Sequence, residues 1–229
     1  MIGIFDSGVG GFCAYREVRR LLPREDIVYL ADRKNAPYGT KTKDEIISFT
    51  KKSIERLKNL GAEKILIACC TASTVFSSLS EDERNISLPI IMPAVKLAAQ
   101  GKRIAVIATE HTVKTSTFSL EITKIAERCR VFEYAEQNLV SFVESGNRDG
   151  QLSEECKNLL LKIKMRASEQ KVDSLILGCT HFSHLEGEFK KLLPKVRIIS
   201  PAREGARELV RLLKTQNNIK NERGRVIYT

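Results

Sequence analysis

No stretch of this sequence is apolar for long enough to cross a membrane: the longest runs, such as Ile65 to Cys70, fall far short of the roughly 20 residues a spanning helix needs. Glycine and proline are scarce, 13 and 6 among 229 residues, which excludes a collagen-like or low-complexity chain. The N-terminus has no basic cluster and meets Asp6 at once, so a secretory leader is not expected and a cytoplasmic location is. There is no Cys-x-x-Cys pair, and in such a compartment the six cysteines are expected to be reduced. Cys69 and Cys70 are adjacent, a poor arrangement for two ligands on one zinc, and Cys179-Thr180-His181 with His184 lacks a partner knuckle, so no metal site is expected. The loop Gly8-Val9-Gly10-Gly11 does not have GxGxxG spacing, and no Lys-Ser/Thr follows it, which excludes a P-loop.

What is present is an ordinary globular composition, 42% hydrophobic and 29% charged, in a chain long enough for one or two cores. The net charge of +10 suggests an anionic partner: nucleic acid, an acidic surface or an anionic small molecule. Arg203, Arg207, Arg211, Lys214, Lys220, Arg223 and Arg225 crowd the C-terminal stretch, but Glu204, Glu208 and Glu222 are interleaved with them. Tyr and Phe do not alternate with the basic residues as a single-strand platform requires, so specific nucleic-acid binding is not expected.

Short apolar, β-branched runs alternate with amphipathic segments. The runs are Ile2–Phe5, Ile27–Ala31, Lys64–Ala68, Arg103–Ala108, Arg130–Tyr134, Val172–Leu177 and Val196–Ile199. Thr42 and Glu45 form a capping box. Ile46, Ile47, Ile54, Leu57 and Leu60 then recur at helical spacing until Gly61. A second helix starts at Ser200-Pro201, with Ala206, Leu209, Val210 and Leu213 on one face. Strand–helix alternation predicts an α/β fold with parallel sheets buried on both faces. The chain also repeats itself: Lys64 to Thr71 resembles Ser174 to Thr180 at an offset of 110, and the run from Gly3 has a counterpart from Ala105. Two similar lobes are expected, each a mostly parallel sheet flanked by helices, with the active site in the cleft between them. The first takes residues 1–94 plus 202–229, the second residues 95–201.

Ligands of parallel sheets bind beyond the carboxyl ends of the strands. Asp6-Ser7-Gly8-Val9-Gly10-Gly11 follows the first run, and its glycines let backbone N–H groups approach a ligand. Cys69 ends one run and Cys179 ends its counterpart. A buried cysteine is by default a small hydrophobe, but two at matching ends of related lobes can face each other across a cleft. Hydroxyl residues follow both, His181 follows Cys179, and helices begin just beyond. These features lower a thiol pKa, so thiols titrating towards neutrality are expected. Two opposed thiols, with no metal and no lysine motif for pyridoxal phosphate, suggest proton transfer between two bases.

Six stretches then carry a family resemblance: Gly3 to Gly11, Tyr29 to Asp32 with Pro37-Tyr38-Gly39, Ile67 to Ala72, Ala108 to Ser116, Phe142 to Gly146, and Asp173 to His181. In content and order they resemble the cofactor-independent aspartate/glutamate racemases. The resemblance implies no cofactor, glutamate as the small-molecule substrate, and a supply of D-glutamate for peptidoglycan. A homodimer is expected. Aspartate or another acidic amino acid is the alternative substrate, and a weakened member that binds an acidic amino acid or a partner protein is the alternative role. By the same resemblance Cys69 is the base for D-glutamate, assisted by Asp6. Cys179 is the base for L-glutamate, assisted by His181 with Glu144 behind it. Asp6, Ser7, Asp32, Tyr38, Gly39, Cys70, Thr71, Thr112, Thr180 and His181 fall at substrate-binding positions. The chain departs from the pattern at Cys70, where the family usually has asparagine, and at Phe182-Ser183, where Tyr-Pro is usual.

Overall fold

The computed structural model describes residues 1–144, 152–215 and 225–229. Ser145 and Gly146 of the quoted motif, and Lys220, Glu222 and Arg223 of the basic stretch, lie outside the described residues. In chain order the elements are β1 (Ile2–Asp6), α1 (Phe12–Leu21), β2 (Ile27–Ala31), α2 (Lys43–Asn59), β3 (Lys64–Ile67), α3 (Cys70–Ser73), α4 (Glu81–Ile86), β4 (Ser87–Pro89) and α5 (Ile91–Ala98). There follow β5 (Arg103–Ala108), α6 (Glu110–Lys114), α7 (Thr117–Ile125), β6 (Arg130–Ala135), α8 (Asn138–Glu144), α9 (Glu154–Glu169), β7 (Ser174–Gly178), α10 (Glu186–Leu192), β8 (Arg197–Ile199), α11 (Pro201–Thr215) and β9 (Val226–Tyr228).

The strands form two sheets, β4-β3-β1-β2-β9 and β6-β5-β7-β8, and every pairing is parallel. Leaving β9 aside, the two have the same order: β1, β2, β3 and β4 correspond to β5, β6, β7 and β8. In each sheet the chain leaves the founding strand to one side and returns on the other. That reversal opens a crevice between β1 and β3, and again between β5 and β7, where the loops after the two strands diverge.

The strands sort their side chains by alternation. Ile4, Leu66, Ile104, Val106 and Ile176 point into a core shared by the two sheets, where they meet Ala14 and Val18 of α1, Ala94 and Ala98 of α5, Phe118 of α7 and Leu209 of α11. Phe5, Ile65 and Ile67 point to the other face of the first sheet, against Ile46, Ile54 and Leu57 of α2. Ala105, Ile107, Leu175 and Leu177 do the same in the second sheet, against Leu160 and Ile163 of α9 and Phe189 of α10. Burial on both faces is why these strands read as continuous apolar runs.

The helix signals hold. Thr42 Oγ1 accepts from the Glu45 N–H and the Glu45 carboxylate accepts from the Thr42 N–H, closing the box before α2. Gly61, at φ +90°, ends that helix in a conformation that side chains resist. Pro201 opens α11, which packs on α1 and α5. Its arginines are tied into ion pairs: Arg203 to Glu186 and Glu204, Arg207 to Glu204, Arg211 to Glu208. No helix among the described residues is long and apolar enough to cross a membrane. The sequence pattern misses two strands, β4 and β9, which have three residues each and lie at the edges of the first sheet; β4 has a single apolar side chain, Leu88, between Ser87 and Pro89.

Candidate active site

The carboxyl ends of β1, β3 and β7 converge on one pocket. Ser7, Tyr38, Gly39, Cys69, Cys70, Thr71, Glu144, Cys179, Thr180 and His181 line it, together with Thr109, Gln137 and Val140. Both thiols are thus in the same cavity, one from each sheet. Ser7 Oγ lies 3.4 Å from Cys69 Sγ, and the Ala72 N–H, at the start of α3, also points to that sulfur at 3.4 Å. Cys179 Sγ is 3.6 Å from His181 Nδ1, and His181 Nε2 is 3.1 Å from Glu144 Oε1. The result is a chain of thiol, imidazole and carboxylate that starts in the pocket and ends at a half-exposed glutamate.

Three expected site residues stand behind the pocket rather than on its wall. Asp6 is fully buried. Its Oδ2 accepts from the Gly8 N–H at 2.8 Å and its Oδ1 accepts from the Thr180 hydroxyl at 3.1 Å. Its hydrogen bonds therefore shape the glycine loop and tie the first sheet to the second, and it reaches Cys69 through its charge. Asp32 accepts from the Tyr38 hydroxyl at 2.6 Å and from the Asn35 amide, holding the tyrosine in place. Thr112 shares a hydroxyl triangle with Thr109 and Thr71, at 2.9 and 3.3 Å, with Thr71 to Thr109 at 3.1 Å. Thr71 and Thr109 are the members that reach the pocket, and the sequence reading missed Thr109. Its place at the end of β5, the counterpart of β1, was the signal that could have found it. Gln137 was missed as well, because it stands in a loop with no pattern of its own.

The thiols do not titrate as expected from sequence. Burial pushes Cys69 up, from 9.0 to about 11; the nearby Asp6 charge adds to the rise, and the bonds from Ser7 and Ala72 oppose it. Burial also drives Cys179 well upward, against the lowering contact with His181. Cys70, buried beside both, is raised for the same reason. Helix starts do follow the cysteines, but α3 is a single turn and Thr180–Leu185 is a 3₁₀ segment, so their dipoles do not offset desolvation. Among the described residues no group of three or more His, Cys, Asp or Glu side chains is placed to hold a metal ion.

A family model for Asp/Glu/hydantoin racemases matches residues 14–209. The chain belongs to that family. Among curated racemases of the family, the glutamate racemase of Desulforudis audaxviator is 38% identical over 207 residues, which cover 88% of this chain and 74% of that protein. The glutamate racemase of Gloeobacter violaceus is 34% identical over 93% of this chain and 80% of its own. Among solved structures, the Francisella tularensis glutamate racemase in complex with D-glutamate superposes with a TM-score of 0.83 at 29% identity, covering all of this chain and 87% of that one. As a racemase fold, the architecture places its two cysteines at equivalent points of two equivalent sheets. A reaction that must reach both faces of one carbon has a use for that symmetry.

Proposed function

We propose that this chain is a glutamate racemase, moving the Cα proton of glutamate between Cys69 and Cys179. The observation that carries the reading is the pocket itself: two thiols, supplied by corresponding strand ends of two sheets, line one small cavity. A single base cannot both remove a proton from one face of Cα and return one to the other. With L-glutamate, Cys179 acts as thiolate and takes the proton, while Cys69 as thiol delivers its own to the opposite face. With D-glutamate the roles reverse. His181 Nδ1 is placed to take the Cys179 proton before the reaction, and Glu144 Oε1 faces its Nε2; because turnover leaves Cys179 as thiol and Cys69 as thiolate, the proton held on His181 passes through solvent to Cys69 once product has left, which resets the pair. Ser7 orients Cys69. The hydroxyls of Thr71, Thr109 and Thr180 and the Tyr38 turn supply donors for the carboxylates and for the charge that develops at Cα.

Residues 1–94 with 202–229 and residues 95–201 serve as the two lobes in this reading. The cavity between them is about 20 Å³, room for about one water molecule, so glutamate enters when the lobes part. The reading also carries a cytoplasmic homodimer and a product, D-glutamate, destined for peptidoglycan. Incubation of purified protein with L- or D-glutamate in D2O, read by NMR, tests it. Deuterium should appear at Cα with either enantiomer, with no cofactor added. Incorporation that is absent with glutamate, or faster with aspartate, overturns it. Light scattering tests the dimer.

A further inference from the structure

Among the described residues the pocket wall contains no lysine or arginine, and its acceptors are unevenly committed. Glu144 is held by His181, and Asp6, behind the wall, accepts from Gly8 and Thr180. Gln137 differs. Its side-chain oxygen is buried, lines the pocket and has no hydrogen-bond partner. It sits at the start of α8 in the second lobe and presses on the turn of the first: a Cβ built on Gly39 would come within 2.7 Å of that oxygen. A buried carbonyl without a donor is costly to keep, and a native structure that keeps one has a use for it.

We infer that the Gln137 carbonyl receives the α-ammonium of the substrate. This rests on the racemase reading, because an amino acid supplies the missing donor: its ammonium is the sole strong donor on a molecule otherwise made of acceptors. The Thr71, Thr109 and Thr180 hydroxyls can donate to the carboxylates, whereas the Gln137 oxygen can only accept. Held from the second lobe and placed against the Gly39 turn of the first, the ammonium would fix which way Cα faces between the two sulfurs. It would also couple substrate binding to lobe closure, since Gln137 and Gly39 meet only when the lobes are together.

The ammonium keeps its charge through the reaction, so its contact strengthens ground and transition states alike and is felt in KM. Gln137→Met, which keeps the volume without the carbonyl, and Gln137→Ala should each raise KM for L-glutamate about 10- to 100-fold, with kcat little changed. Glutarate, which is glutamate without the α-ammonium, should inhibit wild-type and both variants with the same constant. A KM that stays at the wild-type value in both variants overturns the assignment. So does a parallel weakening of glutamate and glutarate, which would mean that Gln137 only supports the pocket's shape. Wild-type protein that does not turn over glutamate overturns the racemase reading and this inference with it; wild-type turnover with unaffected variants overturns this inference alone.

Discussion

At the scale of single residues the site is governed by desolvation. Cys69 and Cys179 have hydrogen-bond partners suited to thiolates, yet burial outweighs them, and the resting pair holds its protons. The reactive form is made at the moment of catalysis rather than stored. Cys69→Ala and Cys179→Ala should therefore each abolish racemisation in both directions, because every turnover needs one thiolate and one thiol; circular dichroism of glutamate solutions reads this directly. A variant that keeps the wild-type rate would remove its cysteine from the reaction. The raised thiols also set a pH dependence. A group whose pKa is higher in the folded state binds its proton more tightly there, so its contribution to stability is complete below the unfolded value and is lost as pH climbs through the folded one. For Cys69 that window runs from 9.0 to about 11, and Cys13, raised mainly by burial, shares it. Thermal denaturation should show the melting temperature falling across that range, and a double Cys13→Ala, Cys69→Ala variant should show a shallower fall.

At the scale of elements, the loop after β1 is built for close approach. A Cβ on Gly10 would stand 2.5 Å from Thr180 Oγ1 and 2.8 Å from the His181 backbone nitrogen. The loop therefore lies directly against the turn that presents Cys179 and His181. Gly10→Ala would have to displace backbone, at a cost of about 1–3 kcal/mol, and should lower kcat/KM along with the denaturation midpoint. Unchanged values of both would mean that the two loops are not in register during turnover. Helix α2 offers the opposite case, an element far from the chemistry whose start is set locally. Thr42→Ala removes the cap and should cost about 1 kcal/mol in chemical denaturation, with racemisation intact.

At the scale of the whole molecule, the first lobe is completed from the far end of the chain. Strand β9 pairs with β2 through the Ile27 N–H to Arg225 carbonyl bond at 2.9 Å and the Thr229 N–H to Tyr29 carbonyl bond at 3.0 Å. The Tyr228 ring joins a cluster with Phe12, Tyr15 and Tyr29. Deleting residues 225–229 leaves the outer edge of β2 without a partner, next to aromatic surface. The melting temperature should fall and the protein should self-associate, which scanning calorimetry and light scattering would show. A truncated protein with wild-type stability would mean that β9 is not needed to complete the sheet.

What the sequence determined by itself is whatever is encoded locally or twice. The apolar runs marked the strands of both sheets, except the edge strands β4 and β9 of the first. The capping box and Gly61 set the ends of α2, and the internal repeat places Cys69 and Cys179 at corresponding strand ends. Tertiary structure decided what depends on neighbours distant along the chain. Asp6 is expected from sequence to assist Cys69; the fold has its carboxylate accept from Gly8 and, 174 residues away in sequence, from Thr180, so that it acts on Cys69 through its charge. Thr109 rather than Thr112 reaches the pocket, because the hydroxyl triangle turns only one of them inward. The thiols are raised rather than lowered, because a pKa follows how much water the fold removes from around the sulfur. Gln137 carries no motif at all; its bare carbonyl becomes visible only when the second sheet is set against the first. Periodicity and capping are properties of a few consecutive residues, whereas burial and hydrogen-bond completion are sums over everything the fold brings within a few ångströms.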